Sequence, residues 1–275
     1  MKSRIITGAV ASVIALVVLL LLPPFALNIA MAFICALAMW EVLVVTKFVD
    51  HRGLMAAAIV FAAITPFFLM IPQKSVAMGI VVIYVVFLAV VQIMYHQTLK
   101  VERTGFVFFI SIIVPVSLSC LAYIRNIFPE HGLFYVFLTL VMPWLCDMGA
   151  YFVGTFLGKH KLCPGISPKK TVEGLIGGIL ISVGASVFTG WLYQLLVLDG
   201  MGLQVNYWQI ALLSLLMAPL SVIGDLFASI IKRQCSVKDF GNIMPGHGGV
   251  MDRFDSLLFV APIVFIVLLQ LPLIS

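Results

Sequence analysis

Residues 75–94 read SVAMGIVVIYVVFLAVVQIM, an apolar run without a charged side chain. About 20 residues of helix cross a hydrocarbon layer of roughly 30 Å. In lipid every backbone N–H and C=O must be satisfied within the protein, so such a run is a helix. A strand of a membrane barrel would alternate apolar with polar residues, and this run does not.

Similar runs recur along the 275-residue chain, which is 63% hydrophobic and only 10% charged. A soluble domain carries about 25% charged residues. The fold class expected is an all-α polytopic membrane protein with about nine transmembrane helices. They lie at roughly 6–22, 25–46, 53–71, 75–94, 104–124, 132–153, 173–197, 208–231 and 254–274. The first follows Lys2 and Arg4, and its long apolar stretch without a directly following small-residue cleavage site reads as a retained helix, not a signal peptide.

Charge tests this count. With the N-terminus cytoplasmic and the C-terminus outside, all of the 16 Lys and Arg residues except Lys74 and Arg125 fall in inside segments. That asymmetry is the positive-inside pattern, which a miscounted helix would have scrambled. The net charge of +5 therefore reflects topology first, and no nucleic-acid partner is expected. The five cysteines are scattered, with no CxxC pair, so neither a disulfide framework nor a zinc site is expected.

Two longer connections, roughly 154–172 and 232–253, both cytoplasmic, hold Gly, Pro, Lys, His and Asp in place of aliphatics. An N-terminal region of about five helices, 1–130, is thus followed by a catalytic region, 131–275, that carries both polar loops. In the first region Glu41 lies near a membrane end and is read as reaching the cytoplasmic interface.

The segment GDLFASIIKRQCSVKDFGNIMPGHGGVMDRFD, 224–255, concentrates the charge. Asp225 stands inside an apolar helix, where an unpaired carboxylate costs about 3 kcal/mol or more. Asp225, Ser229 and Lys232 share one helix face by their spacing. A simple pair between Asp225 and a neighbouring cation would explain that face alone. It would not explain Lys238, Asp239, His247 among Gly246, Gly248 and Gly249, then Asp252, Arg253 and Asp255, all close behind. Glycines permit close backbone approach to a ligand. Carboxylates hold Mg²⁺, which bridges phosphate oxygens, and cations offset phosphate charge. His247 as a satisfied structural histidine stays open.

A second cluster contains Asp147 and Tyr151 one turn apart, Gly154, Gly158, Lys159, and PGISPKKTVEG, 164–174. Gly154 reads most simply as a helix-packing residue. GTFLGK, 154–159, has the wrong glycine spacing for a P-loop, and His160 stands in place of Ser/Thr. Ser167, Lys169, Lys170 and Thr171 offer donors to a polyphosphate. Thr171 can also cap the seventh helix, with Gly174 where a capping box would want Glu.

SIIKRQCSVKDFGNIMPGHGGVMDRFD, 229–255, resembles the signature of the phosphatidate cytidylyltransferase (CDP-diacylglycerol synthase) family, and SPKKTVEG, 167–174, resembles that family's other stretch. Met244 departs from the usual Leu, Ile or Phe but remains apolar. The resemblance implies a nucleotidyltransferase of phospholipid biosynthesis in the bacterial cytoplasmic membrane, its active site facing the cytoplasm. Its substrates would be CTP and phosphatidic acid, its products CDP-diacylglycerol and pyrophosphate, and a homodimer is what the family suggests. By analogy Asp225 and Asp252 lead as Mg²⁺ ligands with Asp255 next, and a second metal or monovalent cation could join them. Ser229 would orient or ligate. Asp147, Ser167, Lys169, Lys170, Lys238, Asp239 and Arg253 would bind nucleotide, and Lys232, Arg233 and His247 one substrate phosphate or the other.

Three rivals stand beside this reading, of which a lipid or isoprenoid kinase of related architecture is the closer. A CDP-alcohol phosphotransferase would show DGxxAR followed by GxxxDxxxD, which is missing. A lipid or isoprenoid kinase differs in nucleotide choice and in releasing a nucleoside diphosphate. A secondary transporter would use Asp225 and Asp147 as coupling-ion sites, but two related halves with broken helices are not evident.

Overall fold

A computed structural model describes residues 2–47, 49–244 and 248–275. The chain is almost entirely helical. Its elements are α1 (Lys2–Leu20), α2 (Pro24–Trp40, continued by a π turn Glu41–Val45), α3 (Arg52–Ile64, continued by a 3₁₀ turn Thr65–Met70), α4 (Lys74–Met94), α5 (Val101–Ile127) and α6 (Gly132–Leu157). After these come strands β1 (Lys161–Cys163) and β2 (Ser167–Thr171), α7 (Val172–Leu196), α8 (Tyr207–Gln234), the single turn α9 (Met251–Phe254) and α10 (Leu257–Gln270).

Among the described residues seven helical segments are long and apolar enough to cross a membrane: Pro24–Val44, Arg52–Met70, Lys74–Met94, Val101–Ile127, Gly132–Leu157, Val172–Leu196 and Tyr207–Gln234. Each coincides with an expected span. The expected first and last spans are helices too, α1 and the shorter α10 of 14 residues. Large apolar side chains such as Ile83 and Ile93 on α4 are about 70% exposed, which suits a hydrocarbon solvent and not water. The chain is an integral membrane protein.

Two compact units divide it. One holds the chain up to Asn126 together with Lys232–Phe254; the other holds Ile127–Ile231 and Asp255–Ser275. In the first unit α2 packs on α3, and several buried polar groups are hydrogen-bonded. Asn28 Nδ2 donates to the Pro66 carbonyl (2.7 Å) and Asn126 Nδ2 donates to Asn28 Oδ1 (2.8 Å). Tyr84, stacked on Phe61 with centroids 4.2 Å apart, donates to Ser111 Oγ at 2.7 Å. With no water to compensate, leaving any of these unmade would be costly.

In the second unit α6 and α7 meet along a seam of small residues. A Cβ at Gly178 would lie 2.6 Å from the Cys146 carbonyl oxygen, and one at Gly174 would lie 2.7 Å from that of Ala150. Lipid gives helices no hydrophobic drive to associate, so close backbone approach must supply the contact. Gly154 joins the same seam, 3.1 Å from a Cβ at Gly174, which is the packing role expected for it. Gly178→Val should therefore lower the melting midpoint of the detergent-solubilised protein, an overpacking effect of about 1–3 kcal/mol. Fluorescence-detected thermal unfolding checks this.

The connection after α6 is more ordered than the loop expected over 154–172. Lys161–Cys163 and Ser167–Thr171 pair antiparallel, with Lys161 opposite Thr171 and Cys163 opposite Ser167. Pro164–Gly165 supplies the turn, a dipeptide suited to it. Thr171 caps α7 as expected, its Oγ1 accepting from Gly174 N at 3.1 Å. Glu173, not singled out from the sequence, ties the hairpin to the helix start. Its carboxylate accepts from Lys159 N (3.1 Å) and His160 N (3.2 Å) and meets His160 Nδ1 at 2.5 Å.

Candidate active site

The second unit places Lys170, at the end of β2, against Asp225 on α8. Nζ lies 2.6 Å from Asp225 Oδ2, with side chains 21% and 27% exposed. Asp225 was expected to need a partner; the partner is not a neighbour on its own helix but the lysine of the SPKK stretch. Ser229, one turn on, donates to Asp225 Oδ1 over a long 3.4 Å. Gly224 brings Asp255 close: a Cβ there would lie 2.5 Å from the Asp255 carbonyl oxygen. Asp255 is buried, its Oδ1 accepting from Ser256 N at 2.9 Å. Ser167 and Asp147 are half-buried, whereas Lys169 is exposed.

The first unit contains the rest of the signature. After α8 the chain turns through Ser236, whose φ is +56°, and the Val237 and Ser236 amides cap the Lys232 and Arg233 carbonyls at 2.9 and 3.1 Å. The segment then returns to α9. Asp252 is its hub. Oδ1 receives Lys232 Nζ at 2.8 Å, and Oδ2 receives Phe240 N at 2.8 Å and Gly249 N at 2.9 Å. The side chains of Lys232 and Asp252 are 11% and 4% exposed. Lys232 also lies 5.2 Å from the centre of the buried Phe240 ring, a cation–π contact. Met244 and Gly248, at φ +84°, pair across the tip. Lys238, Asp239, Arg233 and Arg253 are exposed. His247 lies outside the described residues.

The structure adds Glu41, which the sequence reading assigned to the interface. It is fully buried. Its Oε2 accepts from Met251 N at 2.9 Å across 210 residues of chain. The signal in the sequence was the same as for Asp225, a carboxylate in an oily helix, but nothing nearby showed what it would face.

Among the described residues no three His, Cys, Asp or Glu side chains form a ready metal cage. Mg²⁺ does not require one, since it commonly binds through one or two carboxylates, waters and substrate phosphates. The donor chemistry fits: Asp225 Oδ1 is loosely engaged, and Asp252 Oδ1 keeps a lone pair beyond Lys232.

The sequence matches the cytidylyltransferase family over residues 2–271. It is 35% identical over 274 residues to the phosphatidate cytidylyltransferase of Bacillus subtilis, covering 98% of this chain and 97% of that protein. It is also 43% identical over 141 residues to the phosphatidate cytidylyltransferase of Staphylococcus epidermidis and 42% identical over 141 residues to that of Staphylococcus aureus, about half of each chain. The chain belongs to the cytidylyltransferase family.

Proposed function

We propose that this protein transfers CMP from CTP to phosphatidic acid, yielding CDP-diacylglycerol and pyrophosphate. One observation carries the reading beyond family membership. Two lysine–aspartate pairs, Lys170–Asp225 and Lys232–Asp252 at 2.6 and 2.8 Å, take Lys170 from the 167–174 stretch, Lys232 and Asp252 from the 229–255 stretch, and Asp225 from one turn before it. A phosphate oxygen of phosphatidic acid attacks the α-phosphorus of CTP, a new P–O bond forms, and the bond to the β-phosphate breaks. The nucleophile is already ionised, so no strong base is needed. The barrier is repulsion between polyanions and charge gathering on the leaving pyrophosphate, which positioning and fixed charge offset.

The chain's own residues match that demand. Lys170, with Lys169 and Ser167 on β2, binds CTP phosphates, and Asp147, Lys238, Asp239 and Arg253 complete the nucleotide contacts. Lys232, Arg233 and His247 hold the remaining phosphate charge, and Ser229 orients Asp225. Mg²⁺ held by Asp225 and Asp252, with Asp255 in support, would supply positive charge at the attacking and leaving oxygens. Each lysine also neutralises a carboxylate that would otherwise be costly to bury.

The nine-span topology, with the N-terminus and both polar connections in the cytoplasm, completes the proposal. CTP then arrives from the cytoplasm of a bacterial inner membrane, and phosphatidic acid enters sideways with its acyl chains in the bilayer. Membranes bearing the protein, given phosphatidic acid, labelled CTP and Mg²⁺, should form a lipid-extractable cytidine product with stoichiometric pyrophosphate. Wild-type membranes that release a nucleoside diphosphate, or no cytidine lipid, would refute it.

A further inference from the structure

Glu41 lies outside both signature stretches, at the first residue of the π turn that ends α2. Single π turns inside helices are rare and recur at functional sites. Here the turn carries a fully buried carboxylate that four residues of the signature segment surround. Met251 N donates to Oε2 at 2.9 Å, and the Val250 amide also faces the group. A Cβ at Gly241 would come within 2.5 Å of Oε1, and a Cβ at Gly249 within 2.5 Å of Oε2. Real Cβ contacts essentially never close to that distance. Gly241 and Gly249 are thus shaped to a carboxylate of this chain. The sequence reading had attributed such glycines to the approach of a ligand.

Two of these residues adjoin Asp252. Gly249 N donates to Asp252 Oδ2, and Met251 precedes Asp252 directly. We infer that Glu41 is a positioning residue for the reaction: its carboxylate is the template on which Gly241, Gly249 and Met251 are set, and so it sets the direction of the Asp252 carboxylate and the Lys232 ammonium paired to it. It touches no reacting atom. This rests on the role proposed above for Asp252, and it predicts that acceptor geometry matters more than the charge of Glu41.

The test uses the full chain in detergent micelles, with Glu41→Ala, Glu41→Gln, Gly249→Ala and the double variant Glu41→Ala/Gly249→Ala. Groups that orient a functional carboxylate typically contribute about 10–100-fold. Glu41→Ala should lower kcat by that factor while KM for CTP stays within about threefold. Glu41→Gln, which keeps an acceptor for Met251 N, should retain activity within about threefold of wild type. Gly249→Ala alone should be at least as damaging as Glu41→Ala, because its methyl meets the carboxylate. In the double variant the methyl occupies the vacated space, so activity should exceed the product of the single effects by about tenfold, the signature of residues in contact.

Thermal unfolding of the four proteins reads the same coupling without activity. The midpoint of the double variant should lie above the sum of the two single shifts. Glu41→Ala within twofold of wild type in kcat, Glu41→Gln as impaired as Glu41→Ala, or strictly multiplicative variants with additive melting shifts would overturn the inference. A wild type that makes no cytidine lipid would instead refute the activity itself, and the melting coupling would then decide the role of Glu41 in building the loop.

Discussion

Asp252→Ala should lower cytidine-lipid synthesis by about 10³-fold or more and should also lower the melting midpoint of the purified protein. Both effects come from one carboxylate. Its two oxygens take the Lys232 ammonium and the Phe240 and Gly249 amides, and the side chain is only 4% exposed. Truncation leaves a nearly buried ammonium without its counter-charge, an event that costs about 3–5 kcal/mol when one partner of a buried pair is removed. It also frees two amides, each worth about 1–3 kcal/mol if left buried without an acceptor. The catalytic loss compounds this, since removing a single electrostatic contact to a transition state already costs about 10²–10³-fold. Asp252→Asn separates the two terms. Its amide oxygen can still accept from Phe240 N and Gly249 N, so the midpoint should recover part of the way while activity stays low. Full activity in Asp252→Asn, measured as labelled CTP incorporated into lipid, would remove Asp252 from the charged machinery.

Asp225→Ala should reduce turnover by a similar factor of about 10³ with a much smaller change in stability. The contrast follows from exposure. Lys170 and Asp225 are 21% and 27% exposed, against 11% and 4% for Lys232 and Asp252, and a pair more open to solvent contributes about 1 kcal/mol or less. Asp225 also makes one long contact to Ser229 where Asp252 anchors two backbone amides. Lys170→Ala should raise KM for CTP more than it lowers kcat if Lys170 has its proposed role as a phosphate-binding cation. The pair of midpoints decides between catalytic and structural roles: equal destabilisation by Asp225→Ala and Asp252→Ala would contradict the assigned difference.

Much of this protein is legible from residue order alone. The helices at 25–46, 53–71, 75–94, 104–124, 132–153, 173–197 and 208–231 stand close to where apolar run length puts them, because lipid leaves the backbone no alternative to internal hydrogen bonding. Thr171 caps α7 for an equally local reason, a hydroxyl three residues before an amide. The concentration of charge in the signature segment is legible as well, with Asp225, Asp252 and Asp255 in an otherwise apolar chain.

What residue order leaves open is partnership. Asp225 meets Lys170 from a strand 55 positions earlier, and Lys232 meets Asp252, 20 positions later. Spacing alone would equally allow Asp225 to pair with Lys232 on one helix face. Glu41 is the sharpest instance. Its neighbours Trp40 and Val42 are apolar and resemble those of an interfacial residue, and only folding brings Gly241, Gly249 and Met251 to its carboxylate. Burial and hydrogen bonding of a charged group depend on contacts made across hundreds of residues, whereas helix formation in lipid depends on the few residues within each turn. The signature segment therefore shows its concentration of charge from its own sequence, but the carboxylate it packs on comes from the end of α2, and the tertiary structure alone makes that connection.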